Sequence, residues 1–140
     1  MKKLTAVVVL LLAACRATPS GLMTGASTPE AAVTAFIGAA KAQDLQAVSA
    51  VWGTNKGSVR ETMPRGDMER RATVIVRLLC QDEFRIVRSE QGIDDTQVVV
   101  VDLLRRGARL PRRFTTVKGP SERWYVFAFP TDDAIQQFCR

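Results

Sequence analysis

Three stretches in the first half of the chain carry apolar residues three and four positions apart, the spacing of a helix with one buried face. We expect Ser27 to cap the first helix, with Glu30 at the capping-box position. Asp44 is expected to cap the second, and the third is expected to begin near Asp67. The pattern therefore predicts three helices within residues 28–79, separated by polar loops.

The apolar period changes after the third helix and becomes that of extended strands. Val98–Val101 is a run of four valines, which is typical of a buried central strand. In the last strand we expect Tyr125, Phe127 and Phe129 to share one face. A short helix is predicted to end the chain. The predicted strands are residues 83–89, 96–104, 112–118 and 123–129. Helices followed by an antiparallel sheet predict the α+β class.

The N-terminus has the layout of an export signal over residues 1–14, with two lysines followed by a short apolar run. The sequence Leu12-Ala13-Ala14-Cys15 then resembles the lipobox of bacterial lipoproteins. This resemblance implies lipidation of Cys15 and anchoring in the bacterial cell envelope. Since Arg16 rather than Asp follows, it implies the outer membrane, facing the periplasm. The alternative is an ordinary secretory signal with an incidental cysteine.

Composition narrows the possible functions of the exported chain. Residues 15–27 are predicted to be the lipidated cysteine and a flexible tether, and residues 28–140 one domain. The chain has no histidine, which excludes histidine-based catalysis. The net charge of +6 falls when the signal lysines are removed, and such a modest charge argues against nucleic-acid binding. Asp94-Asp95 and Asp132-Asp133 lack the spacing of a calcium loop. We therefore expect no metal and no cofactor.

Several segments resemble nuclear transport factor two-like proteins, including small lipoproteins of that superfamily with no assigned function. They are Thr28-Pro29-Glu30-Ala31-Ala32-Val33 with Phe36, then Asp44-Leu45, and Arg123-Trp124-Tyr125-Val126 near the end. The resemblance covers about residues 28–130 and implies a curved antiparallel sheet around helices, a cone with an apolar pocket at its wide end. Function varies widely across this superfamily, so the resemblance alone does not predict an activity.

Two cysteines are left once Cys15 is assigned to the lipid. In an oxidising periplasm we expect Cys80 and Cys139 to form a disulfide that fastens the terminal helix to the fold. The alternatives are a redox-active pair and two free thiols.

Five arginines surround a predicted hairpin turn at Gly107–Pro111. Such a cluster suits anionic lipid headgroups or acidic envelope polymers, because guanidinium groups bind phosphate and carboxylate with two parallel hydrogen bonds. The alternative is a solvated hairpin whose charges prevent pairing between sheets. The five residues are Arg105, Arg106, Arg109, Arg112 and Arg113.

Asp102 is a weak catalytic candidate, because it follows the valine run on a predicted central strand. If it pointed into an apolar pocket, burial would raise its pKa and make it a general base. Alternatively, it marks the exit of the strand into solvent. Seven aromatic residues are interpreted first as core and second as the lining of such a pocket. They are Phe36, Trp52, Phe84, Phe114, Trp124, Phe127 and Phe129.

These observations favour a lipid-anchored envelope protein that acts as a non-catalytic binding or interaction module. An envelope protein or anionic lipid is the expected partner. The alternatives are a small pocket enzyme of the ketosteroid-isomerase type using Asp102, and a structural accessory of an envelope complex. The sequence does not determine an oligomeric state.

Overall fold

The computed structural model describes residues 23–140, and residues 1–22 lie outside the described part of the chain. A layer of helices comes first and is followed by an antiparallel sheet of four strands, which confirms the α+β class. The helices of the layer are α1 (Pro29–Lys41), α2 (Leu45–Val51), α3 (Val59–Thr62) and α4 (Arg65–Leu78). A two-stranded hairpin of β1 (Gly53–Thr54) and β2 (Gly57–Ser58) lies between α2 and α3.

The four-stranded sheet has the simple order β3-β4-β5-β6, in which chain neighbours are also neighbours in the sheet. Its strands are β3 (Glu83–Gln91), β4 (Thr96–Arg105), β5 (Ala108–Lys118) and β6 (Trp124–Ala128). A final short helix, α5 (Asp133–Phe138), has Asp132 as its N-cap.

The N-cap of α1 is Thr28, so the prediction of Ser27 is wrong by one position. Thr28 Oγ1 accepts a hydrogen bond from the backbone nitrogen of Ala31 at 3.1 Å. This start places Glu30 too early for a capping box. The Glu30 carboxylate instead accepts a hydrogen bond from the Ser89 hydroxyl on β3, which ties the first turn of α1 to the sheet.

The other predicted helix starts have different outcomes. Asp44 caps α2, with its Oδ1 at 2.9 Å from the backbone nitrogen of Ala47, and confirms the prediction. Helix α4 begins at Arg65, two residues before Asp67. The polar loop predicted between α2 and α4 contains β1, β2 and α3. Helix α3 starts with a Ser-x-x-Glu capping box, in which the backbone nitrogen of Ser58 donates a hydrogen bond to Glu61 Oε2 at 3.4 Å.

The β4–β5 connection is tighter than predicted. Arg106 and Gly107 alone separate the strands, with φ angles of 48° and 80°. Two consecutive positive φ angles are those of the primed hairpin turns, which match the twist of the flanking strands. The residues assigned to a turn over Gly107–Pro111 therefore belong, from Ala108 onward, to β5.

One face of the sheet packs against α1 and forms the core. Phe36 of α1 and Phe114 of β5 are both fully buried, with ring centroids 6.3 Å apart. A bulge where β5 meets β6 leaves Phe127 as an extra residue, without a partner on β5, between two pairs of facing residues. The bulge breaks the alternation expected for the last strand. Phe129 therefore turns into the core, 5.3 Å from Phe36, whereas Phe127 is 52% exposed.

The structure places Cys80 and Cys139 at disulfide distance, with their sulfur atoms 2.04 Å apart. The bond joins the segment after α4 to Cys139, the C-cap residue that follows α5. Arg105 strengthens the same junction, because its Nη1 donates a hydrogen bond to the carbonyl oxygen of Phe138 at 2.7 Å. This arrangement agrees with the structural role considered for the cysteine pair.

Truncating Phe36 tests the position of the core. We expect Phe36→Ala to lower the free energy of unfolding by about 3–5 kcal/mol, because the change removes a fully buried ring from between helix and sheet. Phe127→Ala is the matched control, with an expected loss of less than about 1 kcal/mol for an exposed ring. Urea unfolding followed by circular dichroism measures both. Equal losses would contradict the assignment of the two rings.

Candidate functional site

The side of the sheet that points away from the helices forms the candidate binding surface. Along β4, alternate side chains from Val99 to Leu103 enter the core. The side chains between them, Val98, Val100 and Asp102, lie on the opposite side. We call this opposite side of β3–β6 the outer face.

Arg88 of β3 and Arg113 of β5 flank Val100 in one row across the outer face. Both guanidinium groups contact the carboxylate of Glu90, Arg88 through Nε at 3.4 Å and Arg113 through Nη1. Desolvation raises the pKa of Glu90, but the charge and hydrogen bonds of Arg113 and Arg88 together outweigh it. The pKa of Glu90 is therefore lowered from its usual value of 4.5. Glu90 itself faces Val98 in the adjoining row, and the three side chains together carry two positive charges and one negative charge at neutral pH.

Asp102 lies in the next row, between Arg85 of β3 and Pro111 of β5. It is 7% exposed, and its Oδ2 accepts a hydrogen bond from Arg109 Nη1 at 3.2 Å. Its side chain is on the outer face, so it does not point toward the helices, as a base inside a cone would. In this position Asp102 is a counter-ion that holds Arg109 against the sheet.

The five arginines of the predicted cluster do not form one patch. Arg105 fastens α5 through the carbonyl of Phe138. Arg112 lies on the helix side of β5 and contacts Asp132, the N-cap of α5, at 3.4 Å. Arg106 occupies the tight turn. Arg105 and Arg112 therefore help to hold α5 in place, and Arg106 lies in the turn at the edge of the sheet.

Arg109 and Arg113 do reach the outer face, with side chains that are 64% and 61% exposed. There they join Arg85 and Arg88, which the sequence analysis missed. Simple alternation would place Arg85 and Arg88 on opposite faces, because they are three residues apart. A register shift between Ile86 and Arg88 returns both to the same face. We call these four residues the outer-face arginines.

An open apolar groove continues the outer face toward the β3–β4 turn. Ile93 in that turn is 83% exposed, and Phe127 stands on the opposite side of the groove. Val98 and Thr115 also line it, and Arg113 brings a guanidinium group to the same groove. The groove encloses about 580 Å³. It therefore combines apolar side chains with one cation, Arg113, and one carboxylate, Asp94, on a solvent-exposed surface.

The predicted aromatic set is mainly core, as first interpreted. Phe127 is the member that stands apart, on the outer face. The members that are buried or packed against the core are Phe36, Trp52, Phe84, Phe114, Trp124 and Phe129.

The remaining points concern metal binding, membrane crossing and lipidation. Between residues 23 and 140, no three His, Cys, Asp or Glu side chains are grouped so as to hold a metal ion. Over the same residues, no helix is long and apolar enough to cross a membrane. Cys15, the predicted lipidation site, lies outside the described residues. Its lipidation stays a prediction.

No family model, curated protein or solved structure significantly matches this chain. The assignment of a function therefore depends on the chemistry of its own residues.

Replacing Arg113 tests the electrostatics of the outer face. We expect Arg113→Gln to raise the pKa of Glu90 toward 4.5, because the principal lowering interaction is lost. In the native protein a lowered pKa contributes stability above pH 4.5, and this contribution is lost as the pH falls through the folded-state pKa. The variant should therefore lose less stability on acidification. Carboxyl NMR titration measures the pKa, with Arg65→Gln on α4 as the control. An unchanged Glu90 pKa in Arg113→Gln would contradict the pairing.

Proposed function

We propose that this chain is a lipid-anchored protein of the bacterial cell envelope that acts as a non-catalytic binding module. Its binding surface is the outer face of the sheet, and its ligand is anionic. The observation that carries this proposal is the convergence of Arg85, Arg88, Arg109 and Arg113 on one open face, from two strands on either side of β4.

The charge balance of the outer face supports anion binding. Glu90 and Asp102 each form ion pairs with outer-face arginines, and Glu83 also lies on this face, opposite Leu104. The four guanidinium groups outnumber these three carboxylates by one. Arg109 and Arg113 keep most of their side-chain surface exposed while they are paired. Guanidinium groups that are paired on one edge still have other N–H donors available for a phosphate, sulfate or carboxylate.

An open face favours binding over catalysis. Enzyme sites bring an acid, a base or a nucleophile together in a concave pocket that excludes water. Asp102 instead faces outward and is neutralised by Arg109. An open cationic surface suits an extended partner such as an acidic envelope polymer or a layer of lipid headgroups.

The location in the envelope rests on the N-terminal pattern. The lipobox-like residues at 12–15 support a lipid anchor, and Arg16 supports transfer to the outer membrane, facing the periplasm. The cysteine pair at disulfide distance is compatible with an oxidising compartment such as the periplasm.

The architecture is proposed to be that of the nuclear transport factor two-like proteins, with a filled interior. The support is the order of helices followed by an antiparallel sheet, and the packing of α1 against one face of that sheet. Phe36, Phe114 and Phe129 occupy the region between helix and sheet where such a cone would hold a ligand. This packing directs the search for a ligand to the outer face.

Lipidation is tested by expressing the full chain in a bacterium and analysing the membrane fraction by mass spectrometry. We expect the mature chain to begin at Cys15 and to carry a diacylglyceryl group there. Cys15→Ser should remove the modification and leave the chain uncleaved at this position. Cys80→Ser is the control, since it also removes a thiol but should keep the lipid. A native chain without lipid in the membrane fraction would contradict the anchor.

Anion binding is tested with dextran sulfate and the chain from Arg16 onward, which contains every described residue. We expect the triple variant Arg85→Gln, Arg88→Gln and Arg113→Gln to bind roughly 100-fold more weakly, at about 1 kcal/mol for each lost charged contact. Arg109 is retained so that the nearly buried Asp102 keeps its partner.

The matched control removes three exposed arginines from α4 by Arg65→Gln, Arg71→Gln and Arg77→Gln. It lowers the net charge by the same amount but leaves the outer face intact. Equal loss of binding in the two triple variants would mean that net charge alone attracts the polymer, and this result would reject the outer face as the binding site.

A further inference from the structure

We infer that the partner of the outer face is an anionic lipid bilayer, against which the domain lies with Ile93 and Phe127 seated among the headgroups. This inference rests on the proposed function, because it requires the outer-face arginines to bind anions. To the proposed function it adds the identity of the partner and the orientation of the domain on the bilayer. Three independent features of the described residues support it.

The first feature is the exposed apolar pair at one end of the outer face. Ile93 and Phe127 are 83% and 52% exposed, and both line the groove that Arg113 also lines. A soluble anionic polymer offers nothing for an isoleucine and a phenylalanine to bind. A bilayer offers phosphates to the guanidinium group and the boundary of the acyl chains to the two apolar side chains.

The second feature is the path by which the chain reaches the domain. Tyr125 is paired with Val117 on the outer side of the sheet, and its hydroxyl lies 3.0 Å from that of Thr24. Gly25 packs closely on the same ring, since a Cβ atom there would lie 2.8 Å from Tyr125 Cζ. Ala26 then pairs with Trp124 at the free edge of β6, and the backbone nitrogen of Gly25 donates to the carbonyl oxygen of Ala50 in α2. The N-terminal segment therefore joins the domain along the β6 edge of the sheet, two residues along β6 from Phe127.

This path brings the predicted lipid to the β6 edge of the outer face. Cys15 precedes Thr24 by nine residues. At no more than ~3.6 Å for each residue, a lipid on Cys15 holds this corner of the outer face within roughly 30 Å of the bilayer. Contact between the face and the bilayer is then intramolecular in effect, so that individually weak interactions suffice.

The third feature is the way the arginines cover the sheet. Val98 and Val100 are nearly buried although they lie on the outer face, and Arg88 and Arg113 flank Val100 from both sides. Arginine stems that lie along apolar surface place their guanidinium groups at its rim. This geometry matches a bilayer interface, where phosphates lie above the acyl chains.

The β3–β4 turn also carries charges that oppose the contact. Asp94 and Asp95 follow Ile93 directly and repel anionic headgroups. Because the electrostatic attraction near this turn is reduced, the apolar pair must contribute to the binding. The role of Ile93 and Phe127 is therefore the critical point to test.

The test uses the chain from Arg16 onward, without the lipid, and sedimentation with vesicles of phosphatidylcholine with or without phosphatidylglycerol. We expect binding to the anionic vesicles and little to the neutral ones. Ile93→Ser and Phe127→Ser should each weaken vesicle binding by about tenfold, the effect of keeping roughly 60 Å² of apolar area in water. Both variants should bind dextran sulfate as the native chain does.

Val74→Ser is the matched control, because Val74 is 56% exposed but lies on α4 in the helix layer. It should leave vesicle binding unchanged. A depth measurement adds a readout that does not depend on loss of binding. Relative to the native chain, which already contains Trp52 and Trp124, the added fluorescence of Phe127→Trp should be quenched by lipids brominated on their acyl chains, and that of Val74→Trp should not.

The outcomes separate the bilayer inference from the proposed function. Native vesicle binding by both Ile93→Ser and Phe127→Ser, or equal quenching of the two tryptophan variants, would overturn the bilayer orientation. Anion binding by the outer face would survive either result. If the outer-face triple variant binds dextran sulfate like the native chain, the proposed function fails, and the bilayer inference fails with it.

Discussion

Strand β4 is the element on which both halves of the structure depend, because it is paired along its length on both sides and is nearly buried on both faces. Its inward side chains, such as Val99 and Val101, close the core against α1. Its outward side chains, Val98 and Val100, are covered in a different way, since none of the helices in residues 23–140 lies over them. Long arginine side chains on the neighbouring strands are suited to this cover, because their stems are apolar and their ends are charged. The valine-rich strand that packs the core therefore also favours arginines on the outer face.

The general form of the fold could be predicted from the sequence, because it follows from patterns that are local. Helical spacing, the cap at Asp44 and the valine run each depend on residues close together in the chain. The predictions that were wrong depend on the register between neighbouring strands. One bulge puts Arg85 and Arg88 on the same face, and another turns Phe129 inward and Phe127 outward. A bulge arises from the pairing of two strands, so a single strand's alternation does not reveal it.

The same limit explains why the candidate site was only partly predicted. Five arginines close together in the sequence suggested one cluster, but alternation and the tight turn send Arg105 and Arg112 to support α5. The cationic surface is assembled instead across β4, from residues more than twenty positions apart such as Arg88 and Arg113. Sequence proximity predicts a patch only on an element that keeps its side chains on one side, and a strand does not. The capping box before α3 was a local signal that the sequence did contain.

The outer face also accounts for the proposed combination of a weakly binding surface with a covalent anchor. Each exposed ion pair contributes little by itself, and salt screens it further. A free domain with a few such contacts would leave an anionic surface readily. A lipid on Cys15 would change this balance, because the chain joins the domain at the β6 edge of the outer face, through Thr24 and Ala26, and so would hold that face close to the membrane. The anchor would then supply local concentration, and the arginines with Ile93 and Phe127 would supply orientation. With its outer face against the bilayer, the domain would direct its helix layer toward the periplasm, where α4 carries several exposed arginines available to other partners.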